Sequence, residues 1–271
     1  MARNTGLLGV ARRKIMEDYR QEFLEKGWFL TKPMLDELFL GRLRNELDEQ
    51  VEVRRKIQEK VGIDEITVGT GHHLLERDSA FLDLLDQMPF YEFFENFFEG
   101  PFILNSYGGV LNSEKDSAYV HRMHRDIRSY VPNRRFMINL LVMLDDFTMD
   151  NGATHLASGS HLKEDRLDEE DFFKTSDRAV GKAGSYLIFD SRVWHSTGMN
   201  LTGERRRALT LTFTPPYFKP QFDYVRYLGE SFVSGLTPRL QQVIGFYSRT
   251  PADLNQWYQP KESRYYRSNQ G

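Results

Sequence analysis

The chain has 271 residues, a formal net charge of −3 and no cysteine. That excludes disulfides and thiolate metal sites, leaving His, Asp and Glu as possible metal ligands. It also excludes the basic excess of a nucleic-acid binder, and no apolar run approaches the ~20 residues of a membrane span. With 40% hydrophobic and 13% aromatic residues the chain can bury a sizeable core. The expectation is a single domain over 1–271, soluble and cytoplasmic, acting on a small molecule; its oligomeric state is not legible.

Residues 10–62 read mostly as helix, interrupted by the extended stretch "GWFLTKPML". From Met34 onward Leu35, Leu38, Phe39, Leu43, Leu47 and Val51 recur at steps of three and four, one apolar stripe of an amphipathic helix. "VGTGHHLLERD", with His72 and His73, reads as a solvated loop, and "PFYEFFENFF" (89–98) as a short aromatic helix. After Gly100 the texture changes. "PFILNSYGGVLN", "RFMINLLVMLDD", "ATHLAS", "GSYLIFD", "RVWHSTG" and "RALTLTFTP" are short, rich in β-branched and aromatic residues, and separated by turn formers. Such spacing predicts an antiparallel sandwich or barrel. No βαβ alternation and no glycine-rich phosphate loop are present, which disfavours a nucleotide-binding α/β fold. From about 218 the chain reads as helical with a break near Gly235, then a polar, tyrosine-rich tail. The expected fold is therefore mainly β with flanking helices: a helical part over about 1–100, a β core over about 101–217, and C-terminal helices and tail over about 218–271.

The chemistry concentrates in two stretches. In "VHRMHRDIRSY" (120–130), His124 and Asp126 are two apart and share a face of an extended segment. Tyr119, Val120, Ile127, Tyr130 and Val131 favour β, so His121 falls on the opposite face. A third ligand has to come from elsewhere, and His195 in "VWHSTG" is the candidate. Two imidazoles and one carboxylate form a facial set that suits Fe(II) and leaves coordination positions open. Eleven residues after His195 stands Arg206, sharing strand parity with Ala208 and Thr210. A guanidinium entering a β core needs an anionic partner, and a carboxylate meets it with two parallel hydrogen bonds. Arg205 and Arg207 are register-shifted rivals. Asp145 and Asp146 read as a strand-ending turn, His155 and His161 as structural or rim residues. Tyr107, Asn112 and Asn139 are candidate walls of a cosubstrate pocket. "LNSEKDSAYVH" (111–121) and residues 161–182 are candidate lids. Arg122, Arg125 and Arg128 would attract an anionic ligand or pair with the acidic 164–171 run.

The order His124-Arg125-Asp126, then "NGATHLASGSH", then His195 with Arg206 beyond it, resembles the phytanoyl-CoA dioxygenase family of Fe(II)/2-oxoglutarate oxygenases. The similarity extends from about Gly27 to about Pro215. It implies a double-stranded β-helix (jelly roll, cupin-like), with iron on His124, Asp126 and His195 and the distal carboxylate of 2-oxoglutarate on Arg206. It places Thr197 beside the cosubstrate and makes O₂ the oxidant. Halogenating relatives carry Gly or Ala at the aspartate position. Asp126 is retained, so oxidation of an unactivated C–H in a secondary metabolite or acyl or amino-acid derivative is expected, ending in hydroxylation or in another oxidative outcome such as desaturation or ring formation. Two other classes compete: a metal-dependent cupin-type isomerase or lyase that does not use 2-oxoglutarate, and a non-catalytic binding protein on the same fold.

Overall fold

The alternating segments of the second half become strands, and in the computed structural model they build two sheets. The structure describes residues 16–65, 67–113, 121–131 and 133–270. In chain order the strands are β1 (Trp28–Leu30), β2 (Thr70–His72), β3 (Ile103–Asn112), β4 (Ile138–Met143), β5 (Thr154–Leu156), β6 (Asp177–Ala179), β7 (Tyr186–Asp190), β8 (His195–Ser196) and β9 (Arg206–Thr214). The larger sheet runs β1-β7-β4-β9-β3-β2 and the smaller β6-β5-β8. An isolated antiparallel bridge between His124 and His195 adds a one-residue fourth member to the smaller sheet. This is the jelly roll that was expected. The segment around His124 is strand-like at that bridge alone; the candidate lid over 111–121 lies mostly outside the described residues.

Strand β9 shows how period-2 alternation creates two cores. Leu209, Leu211 and Phe213 join the cluster beneath the helices, whereas Ala208 joins the cluster between the sheets with Leu141, Leu187 and Phe189. Thr210 and Thr212, on the inner side with Ala208, line a cavity.

Helices α1 (16–26), α2 (Glu37–Val61), α3 (Ala80–Gln87) and α4 (Tyr91–Phe98) supply apolar side chains to the helix-side cluster, which takes in the outer residues of the larger sheet. Asp36 caps α2 by accepting the Phe39 N–H at 2.8 Å, and Gly62, at φ 71°, closes it. Leu40, Leu43 and Leu47 form its buried stripe. Leu38, expected on that stripe, is 82% exposed. The helix starts only at Glu37, and Leu38 in the first turn falls off the 40/43/47 face. Close approach of α2 explains Gly109, where a Cβ would meet Leu47 Cδ1 at 2.3 Å. The helical N-terminal part also furnishes both edge strands of the larger sheet, β1 and β2.

Helix α5 (Glu169–Thr175) occupies the middle of the second candidate lid. Asp168 caps it and Phe172 is buried, so this stretch is a packed element and not a free loop. Helices α6 (Tyr224–Leu228), α7 (Glu230–Ser234) and α8 (Pro238–Ile244) follow the β core, with the break at Gly235. The last residues differ from the expected tail: Gln270 is buried and exchanges side-chain hydrogen bonds with Gln242 at 2.7 and 3.0 Å. No helix among the described residues is long and apolar enough to cross a membrane.

Candidate active site

His124 and His195 are brought together by backbone pairing. Each N–H donates to the other's carbonyl at 3.0 Å, which sets their rings 4.3 Å apart. Asp126 lies two residues on, its N–H donating to Ser191 O at 3.2 Å. Its carboxylate sits 3.6 Å from His124 Nε2 and 3.7 Å from His195 Nε2. Ligand atoms of all three residues lie within 4.8 Å of one another, and among the described residues no other such group of three occurs.

The tautomers are fixed by the surroundings. His124 Nδ1 is 2.7 Å from Arg122 O, and His195 Nδ1 is 3.0 Å from Val193 O. A carbonyl accepts, so both Nδ1 atoms carry the proton and both Nε2 lone pairs point to the cluster, as metal ligation requires. Burial lowers the His195 pKa, opposed by Asp126, and favours the neutral ring a metal needs. Asn139 Nδ2 donates to Asp126 Oδ2 at 2.7 Å and so orients the carboxylate.

Arg125, between two of these residues, fills neither expected role. Its guanidinium lies 4.7 Å from the Trp194 ring and donates to the carbonyls of Ser160, Lys163 and Glu164. It is held by backbone carbonyls of the turn at 160–164 and not by the carboxylates of the acidic run. It thereby ties the residue between His124 and Asp126 to the residue before His195.

One cavity of about 310 Å³ takes in His124, Asp126 and His195, and Arg206 lies on the same wall. Parity settles the register of the three arginines. Arg205 is exposed, and Arg207 turns outward to Asp48 and Asp145 at 2.9 and 3.3 Å. Arg206 is 2% exposed, over the Phe147 ring at 4.0 Å. Its Nε and Nη2 have no hydrogen-bond partner. Burial depresses this guanidinium to about 9, with Asp145 opposing, so it stays charged at neutral pH. A buried, unpaired cation costs several kcal/mol unless something anionic meets it. Thr154 Oγ1 and Asn139 Oδ1, on the same cavity, are likewise buried without partners. The donor set suits iron, and the unpartnered Arg206 N–H groups and Thr154 hydroxyl suit a dicarboxylate; both groups fit the residues present.

Thr197 lines the cavity, and its carbonyl is 3.1 Å from His121 Nδ1, so His121 is turned from the cluster. Tyr107 borders the cavity as expected, but its side chain points away from it. On a strand it takes the face opposite Ser106 and Gly108, so its ring packs on Phe81 and its hydroxyl donates to Phe81 O at 3.3 Å. Asn112 pairs with Arg206 in register, but its Nδ2 donates to Gly198 O at 3.1 Å and it does not line the cavity. His155 bonds Ser176 Oγ at 2.8 Å beneath Phe172 and Phe173, outside the cavity. His161 packs against Gly27. Asp145 and Asp146 hold Arg44, Arg207 and Lys182.

Sequence reasoning missed two features. Thr154 stood in the quoted "ATHLAS" beside the more conspicuous His155, and only the strand parity distinguishes them. His72 and His73 also line the cavity: "TGH" is strand β2, paired with Gly108–Val110.

A jelly roll with a two-histidine, one-carboxylate cluster and a buried arginine on one cavity defines an iron- and 2-oxoglutarate-dependent oxygenase. A family model described as Phytanoyl-CoA dioxygenase (PhyH) matches residues 23–208, and the chain belongs to that family. It is 29% identical over 254 residues to the uncharacterized protein Rv1501 of Mycobacterium tuberculosis, covering 90% of this chain and 92% of that one. It is 31% identical over 158 residues to the dioxygenase cdmA of Talaromyces verruculosus, covering 55% of this chain and 53% of that one. The non-heme alpha-ketoglutarate-dependent epimerase SnoN from nogalamycin biosynthesis superposes with a TM-score of 0.60 at 16% identity, over 83% of this chain and 91% of that chain.

Proposed function

We propose that this oxygenase hydroxylates an unactivated C–H of a small molecule, of the secondary-metabolite or acyl or amino-acid-derivative kind, with release of succinate and CO₂. His124, Asp126 and His195 would hold Fe(II), and Arg206 the distal carboxylate of 2-oxoglutarate, with Thr197 and Thr154 beside it. The observation that carries this reading is the unpartnered, buried Arg206 guanidinium on the same cavity as the triad. Iron and 2-oxoglutarate, when bound, supply the activation of O₂ coupled to oxidative decarboxylation. The chain's part is positional. The carbonyls of Arg122 and Val193 keep both Nε2 atoms unprotonated, and Asn139 holds Asp126 in one orientation. Phe147 walls off one face of Arg206, and Phe189 lies 4.7 Å from the His195 ring, so water is excluded where charge is buried.

The test is anaerobic addition of Fe(II) and 2-oxoglutarate to the metal-free protein, watching for the weak visible metal-to-ligand charge-transfer band. The band is expected in the wild type, lost in Asp126→Ala and weakened in Arg206→Ala. Protein that binds iron yet shows no band would defeat the cosubstrate assignment.

A further inference from the structure

At its other end the cavity is walled by side chains with no role in the proposed iron or 2-oxoglutarate sites. Ser106, Thr210, Thr212, His72, His73 and Gln221 stand there. Ser106 Oγ and Thr212 Oγ1 are 2.8 Å apart across β3 and β9, and a Cβ on Gly108 would meet Thr210 Oγ1 at 2.9 Å. Gly108 thus leaves the hydroxyls uncovered. Among the described residues the wall's charged side chains are Asp126 and Arg206, both already committed to metal and cosubstrate.

His73 is the most constrained residue of this end. Its backbone sits at φ 55°, a left-handed conformation uncommon outside glycine and costly enough to need a compensating reason. Arg54 holds it there, donating Nε to His72 O at 2.6 Å and Nη2 to His73 O at 2.5 Å. The ring stacks on Phe222 at 4.5 Å and 13°. Its Nδ1 is 3.1 Å from the Tyr224 hydroxyl. That hydroxyl also takes the backbone N–H of Tyr107, and burial keeps the phenol protonated. Its hydrogen is therefore directed to Nδ1, which makes Nδ1 the acceptor and leaves the ring proton on Nε2. Burial pulls the ring's pKa down to about 4, with His72 and Arg54 adding to the effect, so it is uncharged at neutral pH.

We infer that His73 reads the substrate, donating its Nε2–H to an uncharged oxygen, and that the substrate is a neutral molecule rich in hydroxyl groups, such as a cyclic polyol or glycoside. An anionic substrate would find no free cation among the described residues of this wall. A long acyl chain would strand the Thr210 hydroxyl, and the one hydrogen that the Ser106–Thr212 pair does not use between themselves, against hydrocarbon, at a cost. Fixed backbone, stacked ring and fixed tautomer are what a hydrogen-bond donor needs to discriminate.

This inference rests on the proposed function, and the experiment separates the two. The anaerobic complex with Fe(II) and 2-oxoglutarate is titrated with myo-inositol and a set of methyl glycosides. Glucuronate, glucose 6-phosphate and decanoyl-CoA are titrated alongside, each followed by the shift of the charge-transfer band and by succinate release in air. The neutral polyols are expected to shift the band and stimulate release, and the charged and acyl probes to do neither. His73→Phe is expected to form the band and to weaken the polyol response about tenfold, the scale of one lost hydrogen bond. Tyr224→Phe keeps the His73 ring but frees its tautomer, and a loss of several-fold is expected. A band that no polyol perturbs overturns the inference and leaves the proposed function standing. So does a stronger response to decanoyl-CoA or the charged probes, or a wild-type polyol response in both variants. No band in the wild type overturns the proposed function, and the inference with it.

Discussion

The two ends of the cavity are built on opposite principles. At the inner end a cation, a carboxylate and two imidazoles are gathered with hydrogen-bonding capacity left unmet: Arg206 Nε and Nη2 and Thr154 Oγ1 have no partner. At the outer end the described polar groups that line the cavity are neutral, and His73 is already engaged by Tyr224 and Phe222. An end with unmet charge is poised for an ionic ligand at a cost to the empty protein. An end with neutral, pre-set groups discriminates by shape and hydrogen bonding at little cost.

Removing the charge at the inner end tests that contrast most severely. Asp126→Ala is expected to bring 2-oxoglutarate turnover to background, because two imidazoles alone leave the metal loosely held. Succinate release at wild-type rate, without added carboxylate, would break the assignment. Arg206→Leu comes next. Charge-assisted hydrogen bonds contribute about 1.5–3 kcal/mol, so the 2-oxoglutarate KM should rise by roughly ten- to a hundredfold. The same variant should leave the empty protein as stable as the wild type or more so, since it deletes an unpaired buried charge. Calorimetry on both proteins, with and without 2-oxoglutarate, reads this directly. Stabilisation by the ligand should be confined to the wild type, and an empty Arg206→Leu that melts far below it would mean Arg206 has a structural partner.

Why one end was legible in the sequence and the other was not follows from the same difference. The triad and Arg206 are residue types whose chemistry is rare in a β core, and strand parity alone groups His124 with Asp126 and Arg206 with Ala208. Parity holds on β9, where Arg206, Ala208 and Thr210 share the cavity side, whereas the segment around His124 is strand-like at one bridge alone. Tyr107 was selected without parity: the residue borders the cavity between Ser106 and Gly108, but its ring packs on Phe81 beneath the helices. The outer end is written in serine, threonine and histidine, which recur everywhere on surfaces. Its organising strand β2 is three residues long in a glycine-rich stretch with no alternation to read. The left-handed backbone at His73 depends on Arg54, some twenty residues away on α2, and no local pattern announces it.

Asn139 lies between the two ends and sharpens the comparison at smaller scale. Its amide holds Asp126 Oδ2 at 2.7 Å while its own Oδ1 is unpaired. Loss of such an outer partner typically weakens metal binding 10- to 100-fold. Asn139→Ala should therefore lower Fe(II) affinity on that scale, measured by competition with a chelator. Asn139→Asp would set a second carboxylate against Asp126 and should fare no better. Iron affinity equal to the wild type in Asn139→Ala would mean that the backbone at Ser191 suffices to place the aspartate.

The smallest effect is a control outside the cavity. Burial pulls His155 down to about 4, as it does His73, yet His155 sits beneath α5 with Ser176 and touches no part of the site. A histidine whose folded-state pKa lies below its unfolded value near 6.5 binds a proton more readily once unfolded. Its contribution is intact above about pH 6.5 and is lost as pH falls toward about 4. His155→Gln should thus flatten the decline in stability between about pH 7 and about pH 4.5 by on the order of 1–2 kcal/mol, read from urea midpoints. Turnover and the response to polyols should stay at wild-type levels. If turnover fell with it, β5 would be transmitting strain from His155 to Thr154, and the separation between the outer shell and the cavity would not hold.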